Sequence, residues 1–425
     1  MPSPRALRLA ILAVTLSLAY GIWYSYSVIL VALLQEFGWG RSVLAGAFSV
    51  FTLVHGGSSP VVATLCERFR PLGVMAAGGC TLGLALFANS FISAPWHLYL
   101  GFGVLTAASV CATGWTPALV QVQRDFQDRL GLALGIVSSG IGLGMLVVAP
   151  LTQALIDAWG WRAAYRVLAL MCVLWIVPSS IYLLRRARED RGNNRGQGPA
   201  KQNQEKSGPD PKPLKPMTLG EAARGEPFWL LLAAFFFGNF CSQTLHVHQV
   251  AYLVDQGAAA MVGAAVVGVV GATSIVGKIG GGWLSDRIDR ELVYIAGIVI
   301  MLGAVAALVA LGGPAGGTPT TAPANWAVYG YAVLLGLGYS VTASLTPAMV
   351  ADRFAGPHFG RIVGMGILGA AVGSALGPWF AGYLFDRTGS YFVAFAAAAG
   401  CGVIAGAACW RARGLRLRGI REQAA

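Results

Sequence analysis

The chain has 425 residues, of which 56% are hydrophobic and only 11% are charged, and its formal net charge is +12. This composition lies far from that of an ordinary soluble domain. The apolar residues come in stretches of about 20, which is the length that a helix needs to cross a bilayer. The composition therefore excludes a soluble globular protein and indicates a membrane protein with many spans.

Twelve apolar segments follow one another along the chain, and each predicts a membrane-spanning helix. They lie near 8–33, 42–65, 72–93, 97–122, 131–156, 163–184, 227–253, 260–284, 292–312, 326–350, 361–384 and 391–410. The first segment begins with Arg5 and Arg8 and is similar to a secretory signal, but it is too long and has no small-residue cleavage site. We expect it to remain as an uncleaved first helix.

The basic residues are distributed unequally between the two sets of loops. Of the 30 Lys and Arg, 25 lie at the N-terminus, in the even-numbered loops or in the C-terminal tail. Four lie on the opposite side, at Arg41, Arg162, Arg166 and Arg387. Because Lys and Arg are enriched in cytoplasmic loops, this bias predicts an inner-membrane protein with both termini in the cytoplasm. The positive charge then requires no nucleic-acid partner.

One long hydrophilic segment divides six predicted helices from six. We predict an N-terminal six-helix half at 1–184, a cytoplasmic linker at 185–226, a C-terminal six-helix half at 227–410 and a basic cytoplasmic tail at 411–425. The linker is rich in Gly, Pro and polar residues, which is typical of a flexible segment.

Three landmarks recur in the same order in the two halves, at offsets of 219, 228 and 229 residues. They are Glu67-Arg68-Phe-Arg70 with Asp286-Arg287-Ile-Asp-Arg290, Arg124-Asp-Phe with Asp352-Arg-Phe, and Pro150…Asp157 with Pro378…Asp386. The repetition indicates a duplicated six-helix unit. Carriers built from such repeats bind their substrate between the halves, near the middle of the bilayer.

The acidic-basic turns after the second and eighth segments resemble the cytoplasmic signature of the major facilitator superfamily. The motifs Gly21-Ile-Trp-Tyr24-Ser-Tyr26 and Gly382-Tyr-Leu-Phe-Asp-Arg-Thr-Gly-Ser-Tyr391 are similar to those of its monocarboxylate-porter and oxalate/formate-antiporter group. The resemblance implies an all-α membrane protein with twelve transmembrane helices in two pseudo-repeated six-helix halves. It also implies that the two turns act as gating latches, formed by Glu67, Arg68, Arg70, Asp286, Arg287 and Arg290.

Lys278 is the only charged residue in the interior of a predicted span. It lies eight residues before Asp286, which is ~12 Å of helix rise into the membrane. An ionised residue at that depth is costly and marks a functional site by default, although a lysine that snorkels to the interface is the alternative. The resemblance implies that Lys278 binds the substrate carboxylate.

Two departures from the family pattern concern the charge of the substrate and the coupling ion. Ser274 stands where proton-coupled carriers have an aspartate, which leaves proton coupling open. A glycine near Gly366 stands where the oxalate exchanger has a second lysine. A single interior cation favours a monoanion over a dianion.

The resemblance also implies that three aromatic side chains, Tyr24, Trp115 and Tyr339, shape the substrate pathway, with lipid contact or packing as the alternative. Tyrosine hydroxyls and an indole N–H can donate hydrogen bonds to a carboxylate.

The seventh segment adds the polar residues Asn239, Gln243, His246 and His248. The two histidines are two positions apart and therefore point to different faces of a helix. His248 fits the family motif, so we expect it, with Asn239 and Gln243, to contact substrate. Lys278 and His248 are the coupling candidates, and a hydrogen-bonded structural role is the alternative for His248.

Several other kinds of site are excluded by spacing. The seven cysteines lie in or beside apolar segments without C-x-x-C or Cys/His pairing, so we expect neither a metal nor a disulfide. The run from Gly271 to Lys278 is one residue too long for a phosphate loop and continues into Ile279. We expect no cofactor and no enzymatic activity.

The sequence therefore predicts a secondary transporter that moves a small monocarboxylate, such as lactate or pyruvate, by alternating access with proton coupling. Its expected partners are a small organic anion, a proton and membrane lipid, with no nucleic acid and no obligate protein partner. The alternatives are an organic-anion exchanger of the oxalate/formate type, a multidrug exporter, which should carry an embedded carboxylate, and a transport-dead sensor.

Overall fold

The computed structural model describes residues 4–126, 130–194, 219–312, 325–354 and 359–424, and within them the chain forms twelve long helices. Their bounds are α1 Pro4–Phe37, α2 Arg41–Phe69, α3 Pro71–Asn89, α4 Pro95–Asp125, α5 130–159, α6 161–194, α7 Glu226–Asp255, α8 Ala260–Ser285, α9 Arg290–Leu311, α10 Asn325–Phe354, α11 Phe359–Thr388 and α12 Phe392–Ala424. Each corresponds to one predicted apolar segment. The expectation of an all-α protein with twelve transmembrane helices is confirmed.

Helix breaks occur where the backbone chemistry requires them. α5 and α6 form one continuous helical stretch that is broken only at Gly160, whose φ of 79° is unfavourable for residues with a side chain. Gly389 follows α11 with a φ of 67°. Gly160 and Gly389 each lie three residues after the end of the third landmark, at Asp157 and Asp386, so the repeat preserves a backbone turn.

The two halves of six helices meet along two seams, α2 with α11 and α5 with α8. In the second seam the backbones approach closely, because a Cβ added at Gly142 would lie 2.5 Å from the carbonyl oxygen of Gly271. Small residues permit such close approach between membrane helices. We call the side that carries both chain ends the terminal side and the opposite side the distal side.

Two predicted boundaries fall inside helices. α6 continues from the first half to Asn194, and a short helix at Leu219–Arg224 precedes α7. Residues 195–218 of the predicted linker lie outside the described residues. The predicted tail at 411–425 begins inside α12, and its arginines contact the loop before α9: Arg413 and Arg416 bind Asp289 at 2.7 Å. Hydrogen bonds from Arg413 lower the pKa of Asp289 below its ordinary value.

A glycine on α5 tests the close packing within the first half. In Gly140→Ala the new Cβ would overlap the carbonyl oxygen of Ala13 in α1, so the two helices must separate. Overpacking of this kind costs ~1–3 kcal/mol, and we expect a lower melting temperature of the purified protein in detergent. Gly135→Ala on the same helix is the control, because nothing lies within 4 Å of its added Cβ. Equal melting temperatures for the two variants would contradict this packing.

Candidate substrate site and distal gate

Four side chains from both halves meet at the centre of the bundle. The ring of Tyr24 in α1 lies 5.3 Å from that of His246 in α7 and 6.4 Å from that of Tyr339 in α10. The ring centroids of His246 and Tyr339 lie 4.6 Å apart, and the hydroxyl of Tyr24 is close to the side chain of Gln243. We call Tyr24, Gln243, His246 and Tyr339 the central cluster. The structure thus brings together three of the predicted substrate-contacting residues and adds His246.

The central cluster has unsatisfied hydrogen-bonding capacity. The side-chain oxygen Oε1 of Gln243 and the ring nitrogen Nε2 of His246 are buried, and neither has a hydrogen-bond partner among the described residues. The hydroxyl of Tyr339 lies 3.9 Å from the sulfur of Met145 in α5 and is close to the hydroxyl of Tyr24. Buried polar groups without partners are rare in folded proteins because each costs free energy. These atoms are therefore available to a polar ligand.

Lys278 lies on the face of α8 that packs against α5, toward the terminal side of the central cluster. Ser274, one turn earlier on the same face, is buried against Gly142 of α5. Lys278 itself is half-buried, and within the described parts of the chain its ammonium makes no hydrogen bond and no ion pair. Seven residues separate it from Gly271, which contacts Met145, so it lies ~10 Å along the helix from that level. The structure does not place Lys278 in contact with the central cluster.

The remaining predicted pocket residues lie at the edges of this region. Trp115 starts the last part of α4 after a break at Gly114, and its backbone lies near the hydroxyl of Tyr20. Asn239 donates to the carbonyl of Phe235 on its own helix and faces Ser374 of α11 at 3.5 Å. Neither contacts the central cluster within the described part of the chain. The described residues also contain no group of three or more His, Cys, Asp or Glu side chains that could hold a metal ion.

His248 faces away from the central cluster, which corrects the expectation that it lines the pathway beside Gln243. Its Nε2 lies 2.8 Å from the carbonyl oxygen of Pro378 in α11, so Nε2 carries the hydrogen. Its Nδ1 therefore accepts from the hydroxyl of Tyr391 at 2.9 Å. Both nitrogens are satisfied and the residue is fully buried. The reason is geometric, because the two-residue step from His246 turns the side chain by about 200°.

A set of hydrogen bonds joins the two halves at the distal side, and we call these residues the distal gate: Arg41, Ser42, Asp255, Asp386 and Tyr391. The guanidinium of Arg41 binds both oxygens of Asp255, at 2.7 and 2.8 Å, and the hydroxyl of Tyr391 at 2.6 Å. Its carbon Cζ lies 3.7 Å from the ring centroid of Phe385. A single arginine of the first half is thus held by three residues of the second.

Asp386 closes the gate by capping a helix in the other half. Its carboxylate accepts hydrogen bonds from the backbone N–H groups of Arg41 at 2.8 Å and Ser42 at 2.9 Å, at the start of α2. The hydroxyl of Ser42 donates a third bond at 2.5 Å. The first N–H groups of a helix have no partners within it, and the helix dipole favours a negative charge there. The N-terminus of α2 is therefore completed only when the halves meet.

The terminal side shows the opposite arrangement. Among the predicted latch residues, Glu67, Arg68, Arg70 and Asp286 are exposed, and no ion pair joins them to another described residue. Arg287 stacks on Trp283 of its own helix, and Arg290 pairs with Asp352 within the second half. All hydrogen bonds between the described parts of the two halves lie at the distal side or at the level of the cluster. Within the described residues the predicted latches do not join the halves.

Sequence reasoning overlooked His246 and the distal gate, although signals for both were present. Asn239, Gln243 and His246 are spaced by four and three residues, so they share one helix face, and this period favours His246 over His248. Asp386 stood in a motif that carried the family resemblance, and Arg41 was one of the four basic residues on the opposite side, but nothing in the sequence showed that the two residues meet.

The fold and these contacts agree with a comparison of the chain with known protein families. The model of the Major Facilitator Superfamily matches residues 12–322, and the chain belongs to that superfamily. It is therefore a multi-pass membrane transporter and not an enzyme.

Individual relatives narrow this class. The chain is 26% identical to monocarboxylate transporter 13 of Bos taurus, over 91% of this chain and 85% of the relative. It is 28% identical to monocarboxylate transporter 11 of Mus musculus, over 89% and 80%. A solved bacterial homolog of the human lysosomal transporter Spinster, in an inward-facing and occupied conformation, superposes with a TM-score of 0.69 over 97% of each chain. At 16% identity this last likeness shows the fold alone.

The cap made by Asp386 predicts a measurable opening of the distal side. Asp386→Ala leaves the N-terminus of α2 uncapped, which costs ~0.5–2 kcal/mol. We expect an impermeant thiol reagent added at the distal side to label a Ser49→Cys reporter about two- to thirtyfold faster. Ser49 is a suitable reporter position because its hydroxyl is hydrogen-bonded to the carbonyl of Ala375 in the α2–α11 seam.

The matched control for this experiment is Asp157→Ala, at the equivalent position of the repeat. Asp157 is exposed, and its hydrogen bond in the described structure comes from Gln153 on its own helix. Its removal should leave labelling unchanged. Equal labelling rates in the two variants would show that the cap does not hold the halves together.

Proposed function

We propose that the protein carries a small monocarboxylate, such as lactate or pyruvate, across the inner membrane. The observation that carries the proposal is the unpaired, half-buried ammonium of Lys278 at the seam between the halves. A cation that has left bulk water needs an anion, and a carboxylate that leaves water needs a cation. The names of the curated relatives, which are monocarboxylate transporters, support the same substrate class.

The substrate meets the protein at two levels. Lys278 lies toward the terminal side and attracts the carboxylate there, while the central cluster lies deeper and encloses the molecule between both halves. Lysine offers a point charge without the two-pronged geometry of arginine, so orientation must come from other groups. The hydroxyls of Tyr24 and Tyr339 supply donors, and their rings limit the pocket to a small substrate.

The transport cycle that we propose is alternating access. Both termini face the cytoplasm, so the terminal side is the inner side and the distal gate closes the outer side. In this conformation Arg41 and Asp386 hold the outer side shut, and the described residues of the inner side form no such links. Opening the outer side breaks these bonds and lets the inner turns at Glu67–Arg70 and Asp286–Arg290 approach one another. The halves rock about the substrate, as in other carriers with repeated halves.

We also propose that a proton accompanies the anion. A carboxylate that crosses with one proton moves no net charge, which removes the electrical cost of carrying an anion toward a negative cell interior. The travelling proton needs a binding site on the protein.

The test is uptake of radiolabelled lactate and pyruvate into proteoliposomes. We expect Lys278→Ala to lower uptake at subsaturating substrate about tenfold to a hundredfold, because a hydrogen bond to a charged group contributes ~1.5–3 kcal/mol. Lys278→Arg keeps the charge and should retain part of the transport. Ile279→Ala changes the exposed neighbour and serves as the control. Full transport by Lys278→Ala would contradict the role of this lysine.

A further inference from the structure

A hydrogen bond within α7 determines the tautomer of the His246 imidazole. Its Nδ1 lies 2.8 Å from the carbonyl oxygen of Ser242, one turn earlier in α7. A carbonyl oxygen only accepts hydrogen bonds, so Nδ1 carries the hydrogen and Nε2 of the neutral ring is a lone-pair acceptor. This Nε2 is buried and has no partner in the described structure, and the residue is only 3% exposed.

A second acceptor lies beside it in the central cluster. The side-chain oxygen of Gln243 is also buried and unpaired, on the same face of α7. Two unpaired acceptors repel a bare carboxylate, which brings only further acceptors. A proton on Nε2 removes the conflict, because the imidazolium becomes a donor on both sides and places a positive charge against the anion. The cluster thus binds a carboxylate more favourably together with a proton than without one.

We propose that His246 is the proton-binding residue of the transport cycle, an inference that rests on the proposed function. On the loading side a proton from water forms an N–H bond at Nε2, and the substrate carboxylate binds to this N–H as an ion pair. After the halves rock, the carboxylate leaves, the N–H bond breaks and the proton passes to water on the other side. One proton and one monoanion cross together, and no net charge moves.

The groups around the ring fit this role. The ring of Tyr24 in α1 and the ring of Tyr339 in α10 pack against it, and these are the titratable side chains in ring contact with His246 within the described residues. From α7, α8, α11 and α12 the described structure brings no carboxylate, ammonium or guanidinium into contact with the ring. The charge of the substrate is therefore the counter-charge that an imidazolium at this position would find.

The other two histidines buried within the described spans lack one of these features. His248 has both ring nitrogens bound by Tyr391 and Pro378. His55 in α2 has an unpaired Nε2, but its ring contacts within the described residues, with Tyr20, Trp23 and Phe51, all belong to the first half. His55 therefore provides a matched control, with the same unpaired nitrogen in a different place.

The experiment compares wild type, His246→Gln and His55→Gln in proteoliposomes with radiolabelled lactate at zero membrane potential. Exchange of lactate at equal pH on both sides requires no net proton movement. Accumulation of lactate driven by a pH gradient requires that protons move with it. For wild type we expect both, with up to about tenfold accumulation for a gradient of one pH unit. His246→Gln should lose the accumulation, while exchange should continue at a reduced rate, because the glutamine amide donates a hydrogen bond to the carboxylate but binds no proton. His55→Gln should keep both.

Each other outcome overturns a particular statement. Tenfold accumulation by His246→Gln, or its loss in both variants, overturns the assignment to His246. Exchange without pH-driven accumulation in wild type overturns proton coupling and leaves the carboxylate carrier intact. Absence of exchange of either lactate or pyruvate in wild type overturns the proposed function, and the inference with it.

If His246→Gln shows neither exchange nor accumulation, the pH dependence of lactate binding tests the proposal instead. The stabilisation of the detergent-purified protein by lactate is then measured between about pH 5 and 8, the range in which histidine titrates. In wild type it should be largest at acid pH, where Nε2 is protonated, and decline as pH rises. The variant should lose this pH dependence. A variant that keeps the acid preference would overturn the proposal.

Discussion

Inside a bilayer no water is available to satisfy polar groups, so each polar side chain in the twelve helices must find its partner within the protein. Most of them do so locally. Thr113 and Thr152, for example, donate to carbonyl groups one turn earlier on their own helices. Against this background three groups that lie between the halves and have no partner among the described residues become informative. They are Nε2 of His246, Oε1 of Gln243 and the ammonium of Lys278. They lie where a polar substrate that crosses the membrane would have to replace its lost water.

The same constraint distinguishes the two seams between the halves. The α5–α8 seam is packed through glycines and apolar side chains, whose contacts have little directional preference and tolerate a change of angle. The outer part of the α2–α11 seam contains directional bonds from Arg41 and to Asp386, which are either made or broken. In the proposed rocking motion the α5–α8 seam acts as the pivot, and the outer part of the α2–α11 seam acts as the distal gate. The two halves share their sequence landmarks, yet Asp386 accepts hydrogen bonds from a helix of the other half, whereas Asp157 accepts one from its own helix.

The helices were predictable because a long apolar run has one stable form in a membrane. The second segment, expected near 42–65, is the helix Arg41–Phe69, and the differences at its ends are a few residues. α12 continues past the predicted boundary at 410, and the arginines of this extension form ion pairs with the loop before α9. Those pairs join residues more than a hundred positions apart, so no local pattern could indicate them.

Tyr24, Gln243 and Tyr339 were expected near the pathway, and the structure brings them together. His248 was the expected histidine, yet His246 is the one that lies beside them. A family motif drew attention to His248, whereas the helical period from Asn239 through Gln243 leads to His246.

By itself the sequence determined the number of helices, the duplication, the bias of basic loops and the presence of one interior cation, because each depends on local composition or on spacing along the chain. The tertiary structure alone decided which polar atoms are left without a partner and which side of the bundle is closed. Both depend on contacts across the two halves: Asp386 caps a helix that begins 345 residues earlier, and the direction of a ring nitrogen is settled by the neighbours it meets.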